Sequence, residues 1–510
     1  MFSFLYFSIK YTALERGKIK GSNKNIQYVQ YLIVIFNFLT ALAVLYFSEK
    51  YENVILDFSI FILGFIIIKV LFPLFYRGSC PLLLNSILFL NSISLIFIYR
   101  LDPSLSIQLF KYILLGFAII LFLPSCFKLV PKIEKLNILY FIGSFVILLL
   151  PTIFNNSSAY GANNWVEIGS ITFQPSEIVK FTFVFYLASI LDKKFTFKRL
   201  VYVTGASGIL IIVLAMQNDF GGALIFFMTF MTLLFVRTGS FGLFFTGIGG
   251  VSLLSVVAYN LASHIQLRVA IWQDPWSVPY TSGYQIVQSL LAIGSYSPFG
   301  SGLTNGYPQN IPIIESDFIF SGICEEFGAL YGLVMLFIYI IIFYRCINIA
   351  LRSEKTFHSF LVVGFTSMLA FQTFVIIGGV TKLIPLTGVT LPFVSYGGTS
   401  MVSALLMLGI IELICTYNLK QPKKKSLVHK KWNDDIDIDE LEENDFEIYE
   451  DEYEEEFYYD DEEGEEYFED DYANNEVKKL FYKIEDEDVD QEKIKLLYKS
   501  IIEGEDDGQK

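Results

Sequence analysis

The sequence predicts an all-α polytopic membrane protein with about twelve transmembrane helices, a large extracytoplasmic loop and a disordered acidic C-terminal tail. Hydrophobic residues make up 54% of the 510 residues and the mean hydropathy is +0.51. So apolar a chain has too little polar surface to cover a soluble core. Apolar runs of about 20 residues, the length that crosses a bilayer, recur along most of the chain.

The predicted spans are recognised by length and by the scarcity of charged residues. They lie near 31–48, 53–76, 81–99, 106–127, 137–154, 176–191, 200–216, 220–236, 241–260, 317–345, 357–378 and 394–418. Lys18, Lys20 and Lys24 precede the first run, and no small-residue cleavage pattern follows an early run. We therefore expect no cleaved signal peptide.

Orientation follows from the basic residues, which prefer cytoplasmic loops. In a twelve-span count, the basic clusters near 18–24, 128–135, 193–199, 345–355 and 420–425 all fall on one side. This pattern predicts that both termini are cytoplasmic. The opposite face then carries the polar loops at 155–175, at Asp219, at 261–316 and at 379–393.

The charge of the chain divides it into unlike parts. From Trp432 to Lys510 there are 35 acidic and 7 basic residues, a net charge of −28, whereas the rest of the chain carries +13. Such a run of like charge with few aliphatic residues predicts disorder. We predict an N-terminal extension with about three spans (1–100), a membrane domain (101–425) and an acidic cytoplasmic tail (426–510). The tail is either simply solvated or a docking segment for a basic partner.

The segment 268–327 is a long polar stretch, rich in Gly and Pro, in an otherwise apolar chain. It ends in two carboxylates, Glu315 and Asp317, where the next apolar run begins. Asp317 is either a plain helix-start residue or a functional carboxylate, and the spacing leaves both open.

Two further motifs place charges at the membrane. Pro175 fits the first turn of a helix, and Glu177 and Lys180 are three residues apart, close enough to pair on one helix face. Such charges usually face a polar cavity, but a structural ion pair between helices is an equal alternative. Asp219 lies between two apolar spans before Gly221 and Gly222, and its spacing favours a helix cap.

The last loop, KLIPLTGVTLPFVSYGGTS, combines prolines, glycines and hydroxyl residues between two spans. Non-helical backbone at membrane depth is tolerated where it is buried in protein or lines a wet cavity. We therefore predict that this loop forms a cavity wall.

Together these motifs resemble one family. The segments GANNWVEIGSITFQPSEIVK, QNDFGGAL, RVAIWQDPW, SDFIFSGICEEFG and PLTGVTLPFVSYGGTS occur in the order found in the SEDS proteins (shape, elongation, division and sporulation), whose members include RodA and FtsW. The resemblance covers roughly residues 155–418. Residues 1–100 lie largely outside it.

The resemblance implies a peptidoglycan glycosyltransferase of the bacterial cytoplasmic membrane. Such a protein polymerises lipid II into glycan strands at the outer face, releases undecaprenyl diphosphate, and works with a class B penicillin-binding protein in division or elongation. The expected partners are thus lipid II, that transpeptidase and membrane lipid, with no nucleic acid. The alternative of another class is a lipid II flippase without polymerase activity, and a generic transporter is a more distant one.

Asp317 matches the essential aspartate of the family, within Ser316-Asp317-Phe318-Ile319-Phe320. Glycosyl transfer to a sugar hydroxyl needs a base for the hydroxyl proton, and the diphosphate leaving group needs charge neutralisation. The start of a helix favours the ionised form of Asp317, whereas burial opposes it. An ionised Asp317 could equally bind a divalent cation, Mg or Mn, as a cofactor.

The remaining expected substrate contacts are assigned residue by residue from the same motifs. They are Trp165, Glu177, Lys180, Asp219, Arg268, Gln285, Gln288, Ser289, Ser395, Tyr396, Gly397, Gly398, Thr399 and Ser400. Arg268 suits bidentate contact with phosphate. The chain departs from the family pattern at Asn164, where an Arg is usual, and at Glu315, which carries a charge where the pattern places none.

Overall fold

The computed structural model describes residues 1–15, 23–129, 133–153, 164–168, 171–193, 196–261 and 263–420. Within this part of the chain the protein is built almost entirely of α-helices. The acidic tail predicted for residues 426–510 lies outside the described residues.

The elements follow one another in a simple order. The helices are α1 (Phe2–Glu15), α2 (Asn23–Phe47), α3 (Val54–Phe75), α4 (Pro81–Leu101), α5 (Pro103–Leu129), α6 (Asn137–Ile153), α7 (Pro175–Leu191), α8 (Phe197–Met216), α9 (Phe220–Thr238), α10 (Phe241–Leu261), α11 (Ser263–Gln273), α12 (Tyr284–Ser295), α13 (Ile319–Phe327), α14 (Ala329–Leu351), α15 (Thr356–Val380) and α16 (Gly398–Lys420). Strands β1 (Val166–Ile168) and β2 (Ile171–Phe173) form an antiparallel pair in which Val166 lies opposite Phe173.

Ten of the described helices are long and apolar enough to cross a membrane. They are α2, α3, α4, α5, α8, α9, α10, α14, α15 and α16. α6 and α7, with 17 residues each, lie at the positions of the other two predicted spans. The predicted all-α polytopic fold is confirmed. Helix α1 was not predicted, because its 14 residues are too few to give a spanning signal.

The predicted span at 317–345 is wrong in its boundaries. The structure has two helices there, α13 and α14, separated at Gly328, whose φ of 95° is in the left-handed region. A Cβ at Gly328 would lie 2.2 Å from the carbonyl oxygen of Pro298. The long polar loop therefore packs against the chain at this point and breaks the helix, which an apolar window does not reveal.

Helix α4 lies at the centre of the N-terminal half. Every residue from Leu82 to Tyr99 is buried, and α2 and α5 pack against it. Asn37 of α2 donates a hydrogen bond of 3.0 Å to the hydroxyl of Ser92. In a bilayer, such interhelical hydrogen bonds and close packing hold helices together, because lipid is as apolar as the side chains.

The polar loops meet at one end of the described helices. The turn before α9 contacts the segment before α7, and the loop between α15 and α16 contacts both α15 and the segment before α13. Trp272 at the end of α11 donates to the carbonyl oxygen of Lys382 at 3.2 Å. The motifs separated in sequence by up to about 230 residues thus form one polar region.

Candidate active site

Asp317 lies two residues before α13, against the loop between α15 and α16. Ser316 donates a hydrogen bond of 3.2 Å from its hydroxyl to Oδ1 of Asp317. The Cβ position at Gly388 lies 3.5 Å from Oδ2, and Gly388 has a φ of 70°. Because glycine occupies this position without strain, the loop approaches the carboxylate closely. Asp317 precedes the helix cap at Phe318 and is not itself the cap.

The backbone around Asp317 is held by the same loop. The amide of Tyr396 donates to the carbonyl oxygen of Glu315 at 2.8 Å, and the hydroxyl of Ser395 donates to the carbonyl oxygen of Ser316 at 2.5 Å. Ser395 also accepts from the amide of Leu391 at 2.8 Å. These bonds fix the two residues that precede Asp317 before any ligand binds.

The electrostatic surroundings of Asp317 favour its neutral form. Burial raises the pKa of Asp317 to about 6, opposed by the Ser316 hydroxyl, while Glu315 raises it further and Arg268 lowers it. At neutral pH this carboxylate is ionised yet more basic than an ordinary aspartate. A group poised in this way accepts a proton in general base catalysis.

Arg268 of α11 is a cation whose charge lowers the pKa of Asp317. Burial lowers the pKa of Arg268, and the charges of Asp219 and Asp317 both raise it. Within the described residues Arg268 forms no salt bridge within 4.0 Å. The guanidinium therefore lies in the field of two carboxylates without being neutralised at contact, which leaves its donors available to an anion.

Glu177 and Lys180 form the predicted ion pair, with Nζ at 2.8 and 2.9 Å from the two carboxylate oxygens. Lys180 also donates to Oε1 of Gln372 at 2.8 Å, and Gln372 donates to the carbonyl oxygen of Thr390 at 2.8 Å. Thr390 shares a hydrogen bond of 2.5 Å with Ser400. A buried polar chain thus connects α7, α15, the last loop and α16.

Asp219 caps α9, as the sequence predicted, by accepting from the amide of Gly222 at 2.8 Å. It also accepts from the side-chain amides of Asn164 at 3.3 Å and Gln174 at 3.2 Å. Burial raises the pKa of Asp219, opposed by the hydrogen bonds from Gly222 and Asn164. Asn164 therefore supports this carboxylate as a neutral donor.

The other predicted residues differ in how accessible their polar groups are. Ser289 is buried, and its hydroxyl bonds to Ser321 at 2.7 Å and to the carbonyl oxygen of Val380 at 2.9 Å, which favours a structural role. Gln288 lines a cleft of about 220 Å³ with Glu325, and Gln285 is partly buried on the same helix. Trp165 is also partly buried.

The last loop continues into α16 through its hydroxyls and glycines. Tyr396 donates from its hydroxyl to Gln108 at 2.8 Å, and Gly398 begins α16 with its Cβ position 2.6 Å from the ring of Tyr112. Gly397 and Thr399 are partly buried beside them. Whether the predicted residues contact substrate stays a prediction.

Three residues that matter to this region were missed in the sequence. Gln372 joins Lys180 to the last loop, Gln108 accepts from Tyr396, and the hydroxyl of Thr387 is buried without a partner among the described residues. A lone Gln within the apolar run LAFQTFVIIGG was a usable signal, since polar residues inside a span usually face a partner.

The fold and the site define a polytopic membrane protein with a loop-built carboxylate site flanked by cationic and hydroxyl side chains.

Residues 75–420 match the sequence model of the FtsW, RodA and SpoVE family, described as a cell cycle protein. The chain is 31% identical over 363 residues to the peptidoglycan glycosyltransferase RodA of Mycobacterium tuberculosis, covering 66% of this chain and 77% of that protein. It is 33% identical over 281 residues to the stage V sporulation protein E of Bacillus subtilis, covering 54% and 76%.

A solved structure of similar fold comes from work on the structural coordination of polymerization and crosslinking by a peptidoglycan synthase complex. It superposes with a TM-score of 0.55 at 25% identity and covers 68% of this chain and 99% of the other. The present chain belongs to the FtsW, RodA and SpoVE family, and its expected class, a peptidoglycan glycosyltransferase, is confirmed. Residues 1–74 precede the family match.

Proposed function

We propose that this protein polymerises lipid II into glycan strands at the outer face of the bacterial cytoplasmic membrane, releasing undecaprenyl diphosphate, during cell elongation or division. One observation carries the proposal: a carboxylate with a pKa raised to about 6, Asp317, lies within the field of Arg268, a cation without a salt bridge among the described residues. These are the two groups that glycosyl transfer from a diphosphate requires.

In the proposed reaction the oxygen of a sugar hydroxyl attacks the anomeric carbon of a lipid-linked sugar. The new glycosidic bond forms as the bond from that carbon to the diphosphate oxygen breaks, and the hydroxyl proton passes to Asp317. Arg268 neutralises charge that develops on the departing diphosphate. Ser395 and Tyr396 keep the backbone beside Asp317 in place, so little reorganisation accompanies the transfer.

A divalent cation, Mg or Mn, is part of the proposal. Oxygen donors such as the Asp317 carboxylate and the Ser316 hydroxyl suit a hard cation, which would supply further charge neutralisation for the diphosphate. Among the described residues no group of three or more His, Cys, Asp or Glu side chains could hold a metal ion. Any cation at Asp317 would therefore take part of its coordination from the substrate or from water.

The proposed orientation places both termini in the cytoplasm and the site at the outer face. It rests on the basic clusters along one set of loops. We further propose a class B penicillin-binding protein as the crosslinking partner and membrane lipid as the surrounding medium. Support comes from the similar fold in a synthase complex that coordinates polymerization and crosslinking.

The test is reconstitution of the purified full-length protein with its cognate penicillin-binding protein, lipid II and a divalent cation. We expect glycan strands from the wild type and from Glu167→Gln, a control that removes an exposed carboxylate on β1. Asp317→Ala and the isosteric Asp317→Asn are expected to give none. The flippase alternative would replace the proposal if no polymer forms and lipid II still crosses the vesicle membrane at the same rate in the wild type and in the Asp317 variants.

A further inference from the structure

Arg100, the penultimate residue of α4, joins three segments through its guanidinium. Nε donates to Oε1 of Glu326 at 2.6 Å, one terminal nitrogen donates to the carbonyl oxygen of Gly306 at 2.8 Å, and the other donates to Oε1 of Gln309 at 3.2 Å. The side chain of Glu326 is fully buried and that of Arg100 is 11% exposed. This is a buried ion pair in which every guanidinium nitrogen donates a hydrogen bond.

The loop that Arg100 holds lies flush against the end of α13. The amides of Ser301 and Gly302 donate to the carbonyl oxygens of Glu325 and Glu326 at 2.9 and 2.8 Å. A Cβ at Gly300 would lie 2.4 Å from the carbonyl oxygen of Glu326, and one at Gly306 would lie 2.9 Å from Cγ of Glu326. The loop 298–309 and the C-terminal end of α13 therefore form one packed unit.

The other end of α13 leads directly to Asp317. Gly322 lets α13 approach α4 closely, because a Cβ there would lie 2.5 Å from the ring of Phe97 and 2.9 Å from Ile314. Phe97 is one turn before Arg100 on the same helix. Helix α4 thus contacts α13 at two points: Phe97 meets Gly322 near the middle of α13, and Arg100 pairs with Glu326 near the C-terminal end of α13.

The N-terminal extension supports this arrangement from the far side. The hydroxyl of Tyr51, in the turn between α2 and α3, donates to the carbonyl oxygen of Arg100 at 2.8 Å. The hydroxyl of Tyr99 donates to Asp57 of α3 at 2.8 Å. Both Tyr51 and Asp57 belong to the residues that precede the family match. The extension therefore braces the end of α4 that carries Arg100.

We propose that Arg100 is a positioning residue for the transferase reaction: braced by Tyr51, it clamps loop 298–309 and Glu326 so that α13 holds Asp317 in its reactive position. The inference deepens the proposed function and rests on it for its catalytic part. Arg100 acts on the reaction through α13 and does not contact the reacting atoms.

The test compares Arg100→Ala, Arg100→Lys and Glu326→Gln with the wild type in the full-length protein. Arg100→Ala is expected to lower the turnover rate at saturating lipid II at least about tenfold, because displacements near 1 Å cost up to about a hundredfold in rate. The KM for lipid II should change less than about twofold. Arg100→Lys keeps the charge but loses the planar guanidinium with its several N–H donors, so its turnover rate is expected to lie between those of Arg100→Ala and the wild type. Lys50→Ala removes an exposed cation in the same turn as Tyr51 and serves as the control.

Hydrogen exchange of the same proteins separates this inference from the proposed function. Arg100→Ala should speed amide exchange in both 299–310 and 313–318, whereas Lys50→Ala should match the wild type. If the wild type makes no polymer, the proposed function fails and the exchange data still decide the clamp. The clamp would be overturned if Arg100→Ala speeds exchange only in 299–310, or if folded Arg100→Ala keeps the full turnover rate. Should Arg100→Ala not fold, Arg100→Lys and Glu326→Gln provide the same comparison.

Discussion

Asp317 is a carboxylate whose protonation is set by opposing neighbours. Burial and Glu315 raise its pKa, and the Ser316 hydroxyl and Arg268 lower it, with a net result of about 6. Its ordinary value is 3.8, so the folded protein favours the protonated form. The ionised form needed by a base is therefore held at some cost to stability, as is common at active sites.

The pH dependence of the reaction follows from this value. A base works when ionised, so the contribution of Asp317 to the turnover rate should fall as the pH drops through about 6, approaching tenfold per pH unit below it. Glu326 also titrates in this range, because burial raises its pKa to about 7. The measurement is the turnover rate at saturating lipid II between pH 5 and 8, repeated in Glu326→Gln to separate the two groups.

The variant Asp317→Asn provides the matching stability control. Because the folded-state pKa is raised, the stability that Asp317 contributes is present below its ordinary pKa and lost as the pH rises through about 6. Asp317→Asn should therefore unfold no more easily than the wild type at pH 8, and its free energy of unfolding should be higher there by on the order of 1 kcal/mol.

For the pH dependence of the reaction, a turnover rate that stays level down to pH 5 would contradict the role of Asp317 as base.

Lys180 illustrates a residue whose role depends on a partner far along the chain. Its bond to Glu177 spans one helical turn, but its bond to Gln372 crosses to α15 and from there to the last loop. Removing one partner of a buried ion pair typically costs about 3–5 kcal/mol. The pair therefore holds the walls of the polar region, whatever contact it makes with substrate.

At the scale of elements, the short helix α13 packs mainly against α12 and α14 and approaches α4 closely at Gly322. A Cβ at Gly322 would lie 2.5 Å from the ring of Phe97 and 2.9 Å from the side chain of Ile314. The break at Gly328 then lets α14 start in a new direction. The reactive segment is thus a short helix held by its neighbours, separate from the span that follows.

Gly322→Ala tests this packing. The added Cβ would overlap Phe97, so we expect a loss of about 1–3 kcal/mol in stability and a lower turnover rate. Gly294→Ala in α12 is the matched control, since nothing lies within 4 Å of its Cβ position, and it should be neutral or stabilising by up to about 1 kcal/mol. Thermal unfolding in detergent measures both. Equal effects of the two substitutions would show that α13 is not held by α4.

At the scale of the whole molecule, the chain combines a family-matched region with additions at both ends. Residues 1–74 precede the match and supply α1, α2 and nearly all of α3; α2 packs against α4, and α3 packs against α2 and α5. Residues 421–510 follow it. The residues before the match contact the end of α4 that carries Arg100, whereas the acidic tail is expected on the opposite side of the membrane from the site.

Truncation after Lys425 tests this expectation. Polymerisation by the purified protein should remain within about twofold of the full-length rate, because the predicted topology separates the tail from Asp317 by the bilayer, about 30 Å of hydrocarbon. The measurement is glycan strand synthesis from lipid II with both proteins at equal concentration. A folded but inactive truncated protein would show that the topology or the view of the tail is wrong.

The sequence by itself determined the membrane class, the positions of eleven of the twelve predicted spans and the order of the site motifs, because hydropathy and local spacing are properties of neighbouring residues. It also predicted local pairs, such as Glu177 with Lys180 and the Asp219 cap. Only the tertiary structure decided the partners of Gln372 and Arg100, the break at Gly328 and the pKa of Asp317. Each of these depends on contacts between segments far apart in the chain, where burial and steric approach are set by packing that a sequence window does not contain.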